Sequence, residues 1–426
     1  MDLKKVIHKT MPLTANYEYA GELGMILRAT RFDWWQEFLE ASDYGRLKSP
    51  QVAGFYFIAY LEDQADDPVS KEVLVDEIII ALRKSASRLK KEFLASEHFL
   101  ETTQKKLENN RPPLLNEYKT FPGDRIAYYE SDAYLGSETL SRWIDRTLQP
   151  YNLDSQIIEQ IGDRDLYRVH SQSYIEGLRE SEEKAGVEGP VFLTPETFVA
   201  PLSEAHWRKS AAAVLTATAN ALREYERNGN IILSICKTSP GSHHAERNRG
   251  GGTCLINNLA VGAAHVLNNY KLFATRPAIL DIDAHHGNGI QEIFYKTSDV
   301  ATASVHQDQP FFPGTGDEVN TGEGAGIGAN KNVVVRPDDN WLKKVGEAIR
   351  FIEISHPDIV FLELSGDAHI LDPVSDLEAC GQDFFEIGKR LRDLKIPVVA
   401  EIGAATNEAA LQSGVQGFIN GYLSQN

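Results

Sequence analysis

Ala278-Ile279-Leu280-Asp281-Ile282-Asp283-Ala284-His285-His286-Gly287-Asn288-Gly289 passes from an apolar run of strand length into a polar cluster, and residues 289–295 then carry a short helical pattern. Strand, polar loop, helix is the repeating unit of a parallel sheet covered by helices. The same texture extends in both directions from about residue 124 onward. Residues 230–236, 278–282, 300–305, 359–364 and 398–402 read as strands. Residues 255–268 read as a helix, and 376–394 contain the helix before the last strand. The apolar runs are continuous rather than alternating, as expected of strands buried on both faces. We therefore expect an α/β fold with a mostly parallel sheet sandwiched by helices. Ligands in such folds bind beyond the carboxyl ends of the strands. The polar clusters fall there, at residues 239–244, 281–286, 306–312, 365–372 and 401–406.

Upstream the texture differs. Between about residues 17 and 110, Leu23, Ile26, Leu27, Trp34, Trp35, Phe38 and Leu39 recur at helical spacing, as do Val73, Leu74, Ile78, Ile79 and Leu82. Asn109-Asn110-Arg111-Pro112-Pro113 reads as a linker. The expected organisation is a helical N-terminal region, 1–120, followed by a domain over 121–426. The helical region shows no catalytic cluster, so packing or homo-oligomer formation is its expected role.

The chain has 426 residues, 42% hydrophobic and 24% charged, enough for one large domain and a smaller one. A net charge of -18 repels nucleic acid and anionic membranes and favours cationic small molecules or basic peptides. It equally suits an ordinary soluble protein. The three cysteines, Cys236, Cys254 and Cys380, form no CxxC pair, which indicates neither a disulfide framework nor a zinc knuckle. Met1-Asp2-Leu3-Lys4-Lys5-Val6 lacks the apolar core of a signal peptide, and no apolar stretch is long enough to span a bilayer. A cytoplasmic enzyme is the expectation. Gly250-Gly251-Gly252 and the glycine-rich stretch 314–328 follow no phosphate-loop pattern and read as close-packed loops at the active site.

Asp281, Asp283 and His285 are spaced by two, which on a strand places all three on one face. Buried carboxylates need partners, and a cation is the natural one. Asp283 and His285 offer oxygen and nitrogen, and Asp367 in Leu364-Ser365-Gly366-Asp367 offers a second oxygen. Two carboxylates, one imidazole and an open position make a catalytic zinc site. The competing reading is that these acids cap a helix or bind backbone amides. His243 and His244, adjacent in Ser242-His243-His244-Ala245, are suited to moving a proton between an attacking water and a leaving amine. Alone, a histidine pair in a loop is a weak signal.

Several motifs occur together and in order. They are Leu166-Tyr167-Arg168-Val169-His170-Ser171, Pro240-Gly241-Ser242-His243-His244-Ala245, Cys254-Leu255-Ile256-Asn257-Asn258, the cluster from Asp281 to Gly289 with Gln291-Glu292-Ile293-Phe294-Tyr295, Phe311-Phe312-Pro313-Gly314-Thr315-Gly316, and Gly366-Asp367-Ala368-His369 with Asp372-Pro373. With them the chain, from about Tyr134 to its end, resembles the histone deacetylase and acetylpolyamine amidohydrolase family of the wider arginase-like fold. The resemblance implies that Asp283, His285 and Asp367 bind one zinc ion. It implies that His244 is the general base with Asn288 as its partner, and that His243 is an electrostatic partner held by Asp281. The Asp281 strand with Ser304 would contribute to a structural potassium site. Gly252, Thr253, Phe312 and Ala404 would line the tunnel for the acylated amine. Arginases carry further aspartates where Gly287 and His369 stand here, so a single metal ion is implied rather than two.

Three departures stand out. Ala404, in Ala400-Glu401-Ile402-Gly403-Ala404-Ala405-Thr406, occupies the place of the family tyrosine whose hydroxyl stabilises the oxyanion. Thr253 replaces the phenylalanine that usually faces Phe312. Tyr134-Leu135-Gly136-Ser137-Glu138 stands where the family carries a His-Pro stretch. The expected function is a zinc-dependent amidohydrolase acting on an acylated amine or small metabolite. Ala404 motivates a second reading, a catalytically weak or silent metal-containing binder of acylated amines, or a scaffold. A third keeps the metal and changes the bond broken, to another hydrolysis or an elimination.

Overall fold

In the computed structural model, which describes residues 126–131, 138–194, 196–238, 241–270 and 276–424, the apolar runs assemble into a seven-stranded sheet. Its strands are β1 (Ile126–Glu130), β4 (Leu233–Lys237), β5 (Pro277–Asp281), β6 (Ala301–Gln307), β7 (Asn330–Val335), β8 (Ile359–Leu364) and β9 (Val398–Ile402). Between the first two lies a two-stranded antiparallel hairpin, β2 (Val191–Phe192) and β3 (Phe198–Val199). The large sheet has the order β1-β4-β9-β8-β5-β6-β7, and every pairing in it is parallel. The five strands expected from the sequence are all present. The two that carried no clear signal, β1 and β7, lie at the sheet edges, where a continuous apolar run is not required; β7 opens on Asn330-Lys331-Asn332.

Nine helices are described: α1 (Glu138–Leu148), α2 (Asp163–Leu166), α3 (Gln172–Glu188), α4 (Ser203–Asn228), α5 (Asn258–Asn269), α6 (Asn288–Phe294), α7 (Trp341–Ile354), α8 (Gly381–Asp393) and α9 (Glu408–Leu423). Asparagine starts three of them. Asn257, Asn340 and Asn407 accept the backbone N–H groups of Ala260, Lys343 and Ala410, opening α5, α7 and α9. This is why α5 begins at Asn258 and not at the expected Leu255. One face of the sheet packs on α4 and α5: Ile279, Phe361 and Val399 join Trp207, Val214, Leu259 and Ala263 in a continuous core. Two residues further along each strand the same face carries Asp281, Glu363 and Glu401, which are direct neighbours in register.

Residues 110–308 and 313–426 form one compact unit. Residues 309–312 group with 1–109 in another, of which only 309–312 are described. The helical region expected over 1–120, with its boundary and oligomeric role, lies outside the described residues. Among those described, no helix is long and apolar enough to cross a membrane.

Candidate active site

β5 and β8 are adjacent, so the loops that leave their carboxyl ends emerge side by side. The first carries Asp283 and His285, the second Asp367. One ligand atom from each of these residues lies within 4.8 Å of the other two. His285 Nδ1 is 2.8 Å from Asp283 Oδ1 and 3.0 Å from Asp367 Oδ2. The route to this convergence differs from strand alternation, because β5 ends at Asp281. Beyond it the chain is held by its own carboxylates: Asp281 Oδ1 accepts the Asp283 N–H (3.1 Å), and Asp283 Oδ1 accepts the His285 N–H (2.7 Å). Asp367 Oδ1 accepts the Ala284 N–H across the gap (2.9 Å). The acids thus bind backbone amides and face a common centre at once.

Asp283 and Asp367 are each 1% exposed, and Asp367 Oδ2 has no hydrogen-bond partner. Burial raises the Asp283 carboxyl, but His243 and His285 outweigh it and hold it well below the usual range. Burial works against charge on His285, yet the two carboxylates push its pKa up to about 10. Asp367, buried beside Asp283, is pushed up to about 8. Two carboxylates and one imidazole nitrogen compete for positive charge that the chain alone supplies only as protons. An orphaned carboxylate oxygen and a nitrogen aimed at the same point fit a divalent ion with mixed nitrogen and oxygen ligands, as zinc takes.

The paired histidines come from the far side of the sheet. β4 is separated from β5 by β9 and β8. The segment that follows β4 is tethered by Glu401 in β9, which accepts hydrogen bonds from Thr238 Oγ1, Ser242 Oγ and, at 2.7 Å, Asn258 Nδ2. His243 reaches Asp281 Oδ2 through Nδ1 (3.0 Å), and its Nε2 is 3.9 Å from Asp283 Oδ1. His244 Nδ1 meets Asn288 Oδ1 at 2.7 Å, and Asn288 Nδ2 donates to Glu246 Oε1 at 2.8 Å. That second bond fixes the amide with its oxygen toward His244, so Nδ1 carries the imidazole proton and Nε2 is the basic nitrogen. The two rings lie 3.9 Å apart, and His244 is 5.9 Å from His285. Burial disfavours charge on both, but Asp281 and Asp283 hold His243 up to about 9. Burial, with His243 and His285 beside it, pushes His244 well below its ordinary value. One member of the pair is cationic and the other neutral.

The loop over His244 is a tight turn in which Gly251 and Cys254 exchange backbone hydrogen bonds (3.1 and 2.7 Å). Its central residues, Gly252 (φ +51°) and Thr253 (φ +71°), are both left-handed. A Cβ at Gly252 would fall 2.1 Å from His244 Cδ2. Thr253 and Ala404 are exposed. Ala404 O accepts the Gly366 N–H (2.9 Å), which places residue 404 beside the loop of Asp367. Phe312 belongs to the other compact unit. Ser304 in β6 neighbours Asp281 in register and accepts the Gly287 N–H (3.3 Å).

Two residues near the site had no role assigned to them from the sequence. Glu196, in the turn between β2 and β3, is half-buried; burial raises its pKa, and the charge of His285 works the other way. His170 donates from Nδ1 to the Glu246 carbonyl (2.9 Å) and accepts the Asn257 N–H at Nε2 (3.0 Å). It joins the segment after His244 to the start of α5. No motif marked the first, and only its place in a motif marked the second.

Fold and comparisons together make the chain a hydrolase of the arginase–deacetylase fold. A family model described as the histone deacetylase domain matches residues 138–408, and the chain belongs to that family, whose members act on C–N amide bonds. A probable deacetylase of Methanothermobacter thermautotrophicus is 31% identical over 300 residues, covering 69% of this chain and 87% of the relative. Acetylpolyamine amidohydrolase 1 of Pseudomonas aeruginosa is 35% identical over 211 residues, covering 47% of this chain and 58% of that protein. The crystal structure of an acetylpolyamine aminohydrolase from Burkholderia pseudomallei superposes with a TM-score of 0.60 at 22% identity, over 70% of this chain and 98% of that one, which shows the shared fold.

Proposed function

We propose that the chain is a zinc-dependent amidohydrolase that cleaves the amide of an acylated amine. The observation that carries this reading is the convergence of Asp283, His285 Nδ1 and Asp367 Oδ2 on one point beside a neutral and a cationic imidazole. Asp283, His285 and Asp367 would hold the zinc ion, which when bound would supply Lewis acidity toward an amide carbonyl and a water. His244, neutral with Nε2 basic, takes the proton of that water, and Asn288 holds the ring in the tautomer this requires. His243, kept charged by Asp281, supports the developing negative charge electrostatically. The proton then held on an imidazole goes to the leaving amine.

Gly252, Thr253 and Ala404 are the proposed tunnel wall. Thr253 and Ala404 remove an aromatic face and a hydroxyl from it, which favours a wider or more activated acyl group. A potassium ion near Asp281 and Ser304, a cytoplasmic location and oligomer formation through the N-terminal region belong to the same proposal.

Ala404 supports the second reading, a silent binder or scaffold, because the family hydroxyl has no replacement at that position. The test is turnover by zinc-loaded protein of acetylpolyamines, acetyl-lysine peptides and trifluoroacetyl amides. Trifluoroacetyl amides should be cleaved fastest, since their carbonyl depends least on a missing oxyanion donor. Zinc content and turnover should both vanish in Asp283→Ala. Stoichiometric zinc with binding of acylated amines but no turnover supports the binder reading. Protein that takes up no zinc overturns both.

A further inference from the structure

Asp281, Glu363 and Glu401 form a row of carboxylates across β5, β8 and β9, on the face covered by α5. All three are 1% exposed or less. The outer two are provided for: Asp281 pairs with His243, and Glu401 accepts Thr238, Ser242 and Asn258 at the start of α5. The central one is not. No donor reaches Glu363 Oε2, and burial, then Glu401 and Asp281, push its pKa well up.

Two further oxygens nearby lack partners. Ser365 Oγ, fully buried, makes no hydrogen bond, nor does the carbonyl oxygen of Asn258, whose amide nitrogen is spent on Glu401. A Cβ at Gly403 would fall 2.1 Å from Ser365 Oγ and 2.3 Å from Glu363 Oε1, so both oxygens border one small space that a glycine in β9's exit keeps open. A proton on Glu363, which would also remove the charge, is the competing occupant of this space. A cation in that space meets both Glu363 and Ser365, and one carboxylate without a counter-charge calls for a single positive charge.

We propose that an alkali-metal cation of sodium or potassium size is held between Glu363 and Ser365, beneath the candidate active site. The ligands are oxygens of Glu363 in β8 and of Ser365, the residue that follows the strand. The site is separate from the zinc-facing groups and from the expected potassium position beside Ser304.

The test is a thallium(I) soak of crystals of the full chain, read by anomalous scattering. A peak in contact with Glu363 and Ser365 that disappears in Glu363→Gln, while any peak beside Ser304 persists, is the expected result. In solution, the melting temperature should rise when N-methyl-D-glucamine chloride is replaced by potassium chloride at equal ionic strength, and Glu363→Gln should lose part of that rise. Ser365→Ala serves as the second variant if Glu363→Gln fails to fold. The absence of thallium at Glu363 in the unaltered protein, or an unchanged potassium effect in both variants, overturns the proposal in favour of a protonated Glu363.

Discussion

His244 owes its tautomer to a chain of two hydrogen bonds, from His244 Nδ1 to Asn288 and from Asn288 to Glu246. Removing the ring while keeping an amide of similar reach should therefore separate proton transfer from metal binding. His244→Gln is expected to lower kcat on a trifluoroacetyl amide by about 10²–10⁴-fold, with zinc content by elemental analysis unchanged. Ala404 supports the reverse experiment. Its backbone is fixed by the Gly366 N–H, and Asp372 fixes the next residues through Thr406 and Asn407. A tyrosine there is presented by a settled loop. Ala404→Tyr should raise kcat on acetyl substrates by about 10²–10³-fold and on trifluoroacetyl substrates by less, in steady-state assays of both.

At the scale of elements, the site depends on how loops are pinned. The turn from Gly251 to Cys254 closes on His244 so tightly that a methyl group at Gly252 has no room. Gly252→Ala, strained by its positive φ as well, should displace the imidazole and lower kcat about 10²-fold while far-ultraviolet circular dichroism stays unchanged. His170 pins the same region from behind. Burial lowers its pKa from 6.5 to about 4. The native state thus holds it neutral, and unfolding lets it take up a proton below 6.5. Its contribution to stability is complete above pH 6.5 and is lost as pH falls through about 4. Urea midpoints measured from pH 7 to pH 4 should decline less in His170→Gln than in the parent, from a lower starting value.

Across the whole molecule, the proposed metal centre joins loops from β5 and β8, two central strands of the sheet. An ion that binds only this folded arrangement stabilises it by mass action. Chelation should lower the melting temperature, zinc should restore it, and Asp283→Ala should abolish the difference, as read by calorimetry. The sequence made much of this legible. Ile359-Val360-Phe361-Leu362 and its counterparts announced central strands because burial on both faces demands unbroken apolar runs, and the polar residues after them announced a site at the strand ends. The edges β1 and β7, half free of that demand, gave no such signal. Nor did spacing by two explain Asp283 and His285, since β5 stops at Asp281 and side chain–backbone hydrogen bonds take over.

The five inner strands, and the polar residues placed at their ends, were settled by the sequence alone, because both follow from local apolar runs. Which of those ends meet was settled only by the tertiary structure. The order β4-β9-β8-β5 puts Asp367 beside Asp283, lines up Asp281, Glu363 and Glu401, and makes the His243 segment cross two strands to reach Asp281. Strand order arises from long-range packing of helices on the sheet, which no window of neighbouring residues contains.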